Sequence, residues 1–333
     1  MEAFEYNVSA ARIIFGGGTV SEISGEVARQ KLTTLLLLST PEQDDHAYQL
    51  KKLLNGNIAG VFSEASMHTP SAIIKKALTI SIRTGLPHIC IPKTYTGSEM
   101  TPILGETQDG QKTTRIDPKI LPGTVIYDVD LTMTLPTSMS ATSGVNAIAH
   151  AVEALYARNT NPIISLLALE GVKSLADSLP RIVESPTDVA SRQSALYGAW
   201  LCGTCLGAVG MSLHHKLCHI LGGSFNMPHA ETHTIILPHA LAYNSPAIPE
   251  VMKRLADVLP ASGGNAITGL NVLLQSLKVK RGLKDFGFKE EDVDKAAQIG
   301  VANPYWNPRA IEIGPIRELL RRAWAGEDAR ADL

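Results

Sequence analysis

Histidine residues are concentrated in one stretch of this chain. Six of its ten histidines fall between residues 213 and 244, which a background scatter does not explain. His215 and His219 are four residues apart, so a helix would place both rings on one face. Imidazole rings grouped in this way can bind a metal ion, donate hydrogen bonds or transfer protons near neutral pH.

A second helix is predicted directly after this pair. Gly222 and Gly223 predict the end of the first helix, and Pro228 is typical of the first residue of the next. His229 would then lie in the first turn of the second helix and point back toward the first. The rings of both helices could therefore face one pocket.

A separate helix upstream supplies two more candidate groups. Asn146 and His150 are again four residues apart, in a segment with helical periodicity. Histidines and an amide from separated helices can converge, and we expect the resulting pocket to carry the chemistry. The other histidines of the stretch are expected to be ordinary hydrogen-bonded core residues: His214, His233 and His239.

Composition excludes several classes of protein. The chain has 333 residues, of which 44% are hydrophobic and 19% charged, as expected of an ordinary globular protein with room for two domains. A net charge of −2 without a polybasic segment argues against a nucleic-acid partner. The acidic N-terminus lacks the apolar region of a signal peptide, so we expect a cytoplasmic protein. The four cysteines lie in apolar surroundings, which indicates core positions rather than a zinc or redox site.

One uncharged run, residues 195–213, approaches the length of a membrane span. Its four glycines dilute its hydrophobicity, and it continues into the histidine-rich stretch. A helix buried inside a domain is therefore the better interpretation, and no membrane partner is expected. Gly203 and Gly207 in this run would let a neighbouring segment or a ligand approach closely.

The first part of the chain alternates strand and helix signals. Such alternation predicts a parallel sheet with crossover helices, in which ligands bind at the carboxyl ends of the strands. Residues 35–38 form a continuous apolar run, typical of a strand buried on both faces. Residues 112–115 and 124–127 indicate a β-ribbon. The other predicted elements are strands at 11–15, 60–62 and 89–91 and a helix at 43–54.

A segment rich in hydroxyl groups, PKTYTGSEMTP, follows the strand at 89–91 and contains Thr94, Tyr95 and Ser98. Short polar side chains and free backbone N–H groups at a strand exit suit a pyrophosphate or a nicotinamide ribose. Further along, residues 138–333 are almost entirely helical in pattern. We therefore predict an α/β Rossmann-like cofactor-binding domain at 1–137 and an all-helical catalytic domain at 138–333.

Helical periodicity in the second domain recurs at 163–178, 192–221, 228–242, 289–302 and 310–325. A loop is predicted around Gly263 and Gly264. Three residues with short hydroxyl side chains could cap the helix that carries the asparagine and histidine pair: Ser140, Thr142 and Ser143.

These residues together resemble the iron-containing (group III) alcohol dehydrogenase superfamily. The matching stretches are the helix GVNAIAHAVE, the spacing H-x-x-x-H-x-x-G from His215 to Gly222, and the pair Pro228-His229. Four further stretches resemble its maleylacetate reductase branch: TYTGSEMTPILGET, IYDVDLTMTLP, ALYGAWLCG and LHHKLCHILGGSFNMPHAETH. The resemblance covers nearly the whole chain. It implies the dehydroquinate synthase-like fold, an α/β domain followed by an all-α domain, in a homodimer.

One departure from the superfamily pattern concerns the metal. Asn146 stands where the superfamily has a metal-binding aspartate, which is what the maleylacetate reductase branch looks like. A neutral amide leaves the histidines with a weaker hold on a divalent ion than a carboxylate would give. We therefore expect the site to work without metal.

A second departure concerns the cofactor. The family carries a strand that ends in a Gly-Gly-Gly-Ser loop around the cofactor pyrophosphate. We expect this loop between Ala77 and Ile80, where none is present. Too little chain remains there for a strand and its crossover. Omission of a segment from this sequence is favoured over a deletion, because the sheet would otherwise lose a central strand.

The resemblance implies a reductase that uses NADH or NADPH to reduce the carbon–carbon double bond of maleylacetate, a dicarboxylate. The product would be 3-oxoadipate, in the catabolism of aromatic compounds. The resemblance places His219 beside the nicotinamide, as the proton donor. It places His150, His215, His229 and Asn146 around the ketone or a carboxylate. Protonated histidines would suit a dianionic substrate.

Both nicotinamide cofactors are expected to bind. A carboxylate directly after the second strand would hold a ribose hydroxyl and repel a 2′-phosphate. Ser39 and Thr40 stand there instead, and Glu42 comes later. The predicted cofactor-binding residues are therefore Ser39, Thr40, Thr94, Tyr95 and Ser98.

Three alternatives remain open. The first is a metal-dependent alcohol or polyol dehydrogenase on the same scaffold, against which Asn146 counts. The second is a non-redox enzyme related to dehydroquinate synthase, which would show no net oxidation of NADH. The third is a cofactor-binding regulator without catalysis, which the clustered histidines disfavour.

Overall fold

The computed structural model describes residues 4, 6, 11–54, 58–63, 82, 84–108 and 111–333. They cluster into two units. The helical unit comprises Thr94–Thr101 and Thr132–Leu333, and the α/β unit comprises the described residues of Ala10–Lys93 and Pro102–Leu131. The hydroxyl-rich segment at 94–101, which the sequence suggested belonged to the first domain, thus packs with the helices.

The described part of the α/β unit contains seven strands and two α-helices. Its helices are α1 (Ile23–Arg29) and α2 (Asp44–Leu53). Its strands are β1 (Arg12–Gly16), β2 (Leu35–Leu38), β3 (Ile58–Phe62), β4 (Ile89–Cys90), β5 (Ile103–Gln108), β6 (Gln111–Ile116) and β7 (Thr124–Asp128). They form a parallel sheet in the order β1-β7-β4, a parallel pair β2-β3 and an antiparallel pair β5-β6.

The predicted ribbon at 112–115 and 124–127 is wrong. β6 pairs with β5, whereas β7 is the middle strand between β1 and β4. β7 has the sequence TVIYD and is buried along its whole length. A strand with this pattern needs parallel neighbours on both sides, whereas the polar sequence of β6, QKTTRI, suits a ribbon.

Strand β2 does not have both faces covered in the described part of the structure. Leu36 and Leu38 are 46% and 44% exposed. Among the described strands, β2 pairs only with β3 and β4 only with β7. Strands β2 and β4 both line a cavity of about 440 Å³. Residues 77–80, where the family's loop was sought, lie outside the described residues.

The described part of the helical unit contains nine α-helices. They are α3 (Thr137–Leu155), α4 (Pro162–Glu184), α5 (Val189–Ala208), α6 (Leu213–Phe225), α7 (His229–Asn244), α8 (Pro249–Val258), α9 (Ala266–Ser276), α10 (Val293–Ala302) and α11 (Ile313–Ala325). Helices α8 and α9 were not predicted. No single helix among the described residues has both the length and the hydropathy of a membrane span, although α5 and α6, bent by 95°, reach these criteria as a pair.

Three helix predictions are wrong. The single helix predicted at 192–221 is two helices, α5 and α6, which are separated at residues 209–212. Helix α3 begins at Thr137, so the three hydroxyl residues proposed as its cap lie inside it, where Ser143 Oγ donates to the Met139 carbonyl at 2.6 Å. Helix α6 continues through the two glycines to Phe225, and Asn226 ends it with a left-handed backbone, φ 53°. Asparagine tolerates this conformation because its side chain can bond locally.

Helix α5 holds the loop at 94–101 by close contact. A Cβ atom on Gly203 would lie 2.4 Å from the Gly97 carbonyl oxygen, and one on Gly207 would lie 2.3 Å from that of Met100. The prediction that these glycines allow close approach is therefore confirmed. The fully buried Arg192 adds a second fastening, because its guanidinium donates to the hydroxyl of Tyr95 at 3.2 Å.

We expect Gly203→Ala to destabilise the helical unit by about 1–3 kcal/mol, because the added methyl group must displace backbone atoms of the loop. The check is the midpoint of thermal unfolding. Gly25→Ala, in helix α1, is the matched control, since a Cβ atom there meets nothing within 4 Å. Equal midpoints for the Gly203 variant and the parent protein would contradict the close contact.

Candidate active site

Helix α3 supplies the first two groups of the site. Its central turns are rich in alanine and other small residues, which lets neighbouring helices pack closely around it; a Cβ atom on Gly144 would lie 2.6 Å from Leu179. Asn146 and His150, one turn apart, are 1% and 4% exposed. The α3 backbone thus presents an amide oxygen and an imidazole inside the helical unit.

Helices α6 and α7 bring further imidazoles to the same place. The His215 ring lies 5.1 Å from that of His150 and 6.2 Å from that of His219, measured between centroids. On α7, the His233 ring lies 5.0 Å from that of His215 and 4.4 Å from that of His229. The predicted convergence of histidines from separate helices is confirmed.

The cluster also contains two histidines that the sequence suggested were ordinary core residues. His214 and His233 are fully buried, and His214 Nε2 lies 2.9 Å from His233 Nδ1. Residue 233 is one helical turn beyond residue 229, so the same face of α7 carries both rings. This spacing was the available signal for His233. His239 is buried elsewhere, near Arg281 and Arg322.

Glu153 is a functional residue that sequence reasoning missed. It is fully buried at the end of α3, and it accepts hydrogen bonds from the backbone N–H groups of Ser212 at 2.8 Å and His214 at 2.7 Å. Its carboxylate also lies 2.7 Å from His215 Nδ1. Glu153 therefore fastens the start of α6 and orients His215, with the proton on Nδ1 and Nε2 turned into the cluster. The sequence signal for it was its place as the last residue of the family-like helix GVNAIAHAVE, three residues after His150.

Five buried polar atoms of the cluster have no hydrogen-bond partner in the described structure: Asn146 Oδ1, His150 Nδ1, His214 Nδ1, His215 Nε2 and His233 Nε2. Leaving a buried polar group unpaired costs about 1–3 kcal/mol. Such a cost is common at functional sites, where a ligand supplies the missing partner. These atoms therefore define the binding end of the site.

His219 stands beside this set with a partner of its own. It is half-buried, and its Nδ1 lies 3.2 Å from the hydroxyl of Tyr305, in the segment after α10. When that hydroxyl donates to Nδ1, the ring carries its proton on Nε2. Tyr305 was not predicted, because nearly ninety residues separate it from its partner in sequence.

The predicted cofactor-binding residues lie in two places. Thr94 and the exposed Ser98 are on the loop held by α5, whereas the Tyr95 ring is fully buried and fastens that loop. In the α/β unit, Ser39 and Thr40 follow β2, and the Ser39 hydroxyl is a buried polar atom without a partner in the described structure. An unpaired hydroxyl at a strand exit fits a cofactor hydroxyl or phosphate.

The buried rings are neutral at ordinary pH. Burial, reinforced by the neighbouring imidazoles, lowers the pKa of His150, His214 and His233 well below its ordinary value. The prediction of protonated histidines is therefore wrong for His150, because the interior does not solvate a cation beside other imidazoles.

Stability should consequently depend on pH. Burial also lowers the pKa of His239 to about 4. Below about pH 6.5 the side chains of His150, His214, His233 and His239 take up protons in the unfolded chain but stay neutral in the folded one. The free energy of unfolding is therefore greatest above that pH and falls as the pH decreases. The loss approaches about 1.4 kcal/mol per pH unit for each histidine. Urea midpoints between about pH 8 and pH 5 measure it, and a midpoint that does not change would contradict the neutral cluster.

The family of the chain follows from its sequence. A profile of the Fe-containing alcohol dehydrogenase family, C-terminal, matches residues 140–324, which include every histidine of the cluster. The chain belongs to this family. The maleylacetate reductase of Rhizobium sp. strain MTP-10005 is 47% identical, over 98% of this chain and 99% of its own length. That of Sphingobium indicum is 46% identical, over 97% and 98%.

Solved structures agree with this assignment to the Fe-containing alcohol dehydrogenase family. The crystal structure of maleylacetate reductase from Agrobacterium tumefaciens matches with a TM-score of 0.93 at 46% identity, over 98% of this chain and 100% of that one. The predicted fold, an α/β part followed by a helical part, is confirmed. The alignment with the Rhizobium reductase extends over 350 positions. The Rhizobium enzyme therefore contains residues that have no counterpart among the 333 residues of this chain.

Membership of this family implies a divalent metal, and the cluster fits one. Ligand atoms of His150, His215 and His233 lie within 4.8 Å of one another, and the Asn146 oxygen is unpaired. The contact of His215 with Glu153 is the usual support of a metal-binding imidazole. The expected absence of metal is therefore not supported.

Proposed function

We propose that this chain is a maleylacetate reductase that converts maleylacetate to 3-oxoadipate with NADH or NADPH, in the catabolism of aromatic compounds. The observation that carries the proposal is similarity to maleylacetate reductases over nearly the whole chain, at up to 47% identity. The donor cluster with an amide at position 146 agrees with it. The homodimer implied by the resemblance and the cytoplasmic location expected from the N-terminal sequence stay predictions.

The reaction adds a hydride and a proton across a carbon–carbon double bond. When bound, the nicotinamide supplies the hydride to the alkene carbon β to the ketone. The electron pair of the double bond then moves toward the ketone oxygen, which becomes an enolate. The residues must hold the substrate, stabilise this charge and deliver a proton to the α carbon.

The cluster divides these tasks among its members. His219 donates the proton from Nε2, while Tyr305 holds Nδ1 as an acceptor. His229 binds a carboxylate of the substrate through its ring N–H. A divalent ion, held by His150 and His215 with Asn146, would polarise the ketone oxygen. Glu153 fixes His215 for that role.

The cofactor residues predicted from the sequence stay proposals: Ser39, Thr40, Thr94 and Ser98 offer hydroxyl and N–H groups that suit a ribose or a pyrophosphate. No carboxylate stands directly after β2, so we expect comparable catalytic efficiency with NADH and NADPH. A large preference for NADH would show that Glu42 reaches the ribose.

The test combines the protein with maleylacetate and NADH, before and after exhaustive chelation. Oxidation of NADH with formation of 3-oxoadipate supports the proposal, and its absence in the metal-replete protein refutes it. Activity that survives chelation shows that the imidazoles suffice without an ion. If chelation removes the activity and a divalent ion restores it, the ion is what polarises the ketone oxygen.

Asn146→Asp should raise the affinity for a divalent ion and lower the affinity for the substrate. A carboxylate facing the histidines attracts a divalent ion, so we expect metal affinity to rise by about tenfold or more. The same charge repels a dianion, so KM should rise. Metal content and KM measure the two effects, with Asn146→Ala as the control that lacks any oxygen. No gain in metal by the aspartate variant would contradict the assignment of this side chain to the site.

A further inference from the structure

A second group of ligand atoms shares His233 with the group that contains His150 and His215. It consists of His214, Cys218 and His233, all of which are buried to at least 99%. His214 and Cys218 are one turn apart on α6, and His233 faces them from α7. Their ligand atoms all lie within 4.8 Å of one another.

The spacing of these atoms matches a tetrahedral ion. Zinc with two imidazoles and a thiolate requires about 3.4 Å between the nitrogens and about 3.6 Å between nitrogen and sulfur. In the structure His214 Nε2 lies 2.9 Å from His233 Nδ1, and Cys218 Sγ lies 3.7 Å from His214 Nε2. Small rotations of the two rings would open the shorter distance.

We propose that His214, Cys218 and His233 form an inner site for a thiophilic divalent ion such as Zn²⁺, distinct from the group that contains His150 and His215. A thiolate selects zinc over harder ions. It also neutralises one of the ion's two charges, which a fully buried site requires. The nearby Glu153 carboxylate, bonded to the His214 backbone, contributes further negative charge.

An inner ion would change what His233 presents to the outer group. With the ion on Nδ1, a neutral ring carries its proton on Nε2, the atom that has no partner in the described structure. His233 then serves the outer group as a hydrogen-bond donor and not as a metal ligand. The inner ion thus sets the tautomer of a ring that borders the catalytic cluster.

Cobalt substitution tests the inner site directly. Protein stripped of metal by chelation is titrated with Co²⁺, and its absorption spectrum is recorded. A sulfur-to-cobalt charge-transfer band that saturates at one ion per chain supports the proposal. Cobalt bound with visible bands but without the charge-transfer band places the ion in the outer group and overturns it, as does no binding.

Two variants assign the sulfur. Cys218→Ser should abolish the charge-transfer band, whereas the control Cys90→Ser should keep it. A band that survives Cys218→Ser overturns the assignment. If the serine variant does not fold, X-ray absorption of the zinc-loaded parent protein decides: one sulfur neighbour at about 2.3 Å supports the inner site, and nitrogen and oxygen neighbours alone refute it.

Discussion

Replacing His219 with alanine is expected to lower kcat by about 10²- to 10⁴-fold, the range typical of a general acid. The affinity for NADH should change little, because the ring delivers a proton and is not proposed to hold the cofactor. Steady-state kinetics and a separate measurement of NADH binding distinguish the two effects. A kcat equal to that of the parent protein would remove His219 from the mechanism.

Tyr305→Phe is the companion to this variant. It keeps the imidazole and removes the hydroxyl that lies 3.2 Å from Nδ1. The ring can then place its proton on either nitrogen, so kcat should fall less than in His219→Ala, by about tenfold. A loss as large as that of the alanine variant would assign the proton to Tyr305 instead.

Glu153→Gln is expected to lower activity by about 10- to 100-fold while the chain still folds. The carboxylate accepts from two backbone N–H groups and from His215. A glutamine of the same shape has only one acceptor oxygen, and its NH₂ group would face a donor. His215 would then shift its proton from Nδ1 to Nε2, and Nε2 could no longer bind an ion.

Glu153→Ala separates orientation from stability. It leaves two buried N–H groups without an acceptor, so we expect a loss of about 3–5 kcal/mol in the free energy of unfolding. Urea unfolding and metal content measure the two variants together. If the glutamine variant binds metal and turns over like the parent protein, Glu153 only fastens the start of α6 and does not orient His215.

Glu153 and Tyr305 each contact a histidine of the site, and each comes from a distant part of the chain. Glu153 lies 62 residues from His215, and Tyr305 lies 86 residues from His219. Each fixes which nitrogen of its partner carries the proton. A pocket made of several imidazoles therefore gains distinct donors and acceptors from residues outside the histidine-rich stretch.

The sequence by itself determined where most of the histidines would meet. Positions four apart on a helix share a face whatever surrounds them, so His215 with His219 and Asn146 with His150 were placed correctly by the local period alone. The apolar runs likewise located most of the strands. They did not give the pairing of β7, because an apolar run shows that a strand is buried and does not show which strands lie beside it.

Only the tertiary structure decided the chemical state of the cluster. Whether an imidazole is charged depends on the water removed from it and on the rings beside it, and a sequence records neither. The packing of α3 against α6 and α7 buried His150, His214 and His233 as neutral rings, and for His150 this reversed the expected charge. Glu153 and Tyr305 also reach their histidines through contacts between distant parts of the sequence. The path of the chain determines which distant side chain lies beside a given nitrogen, and a local periodicity does not contain this information.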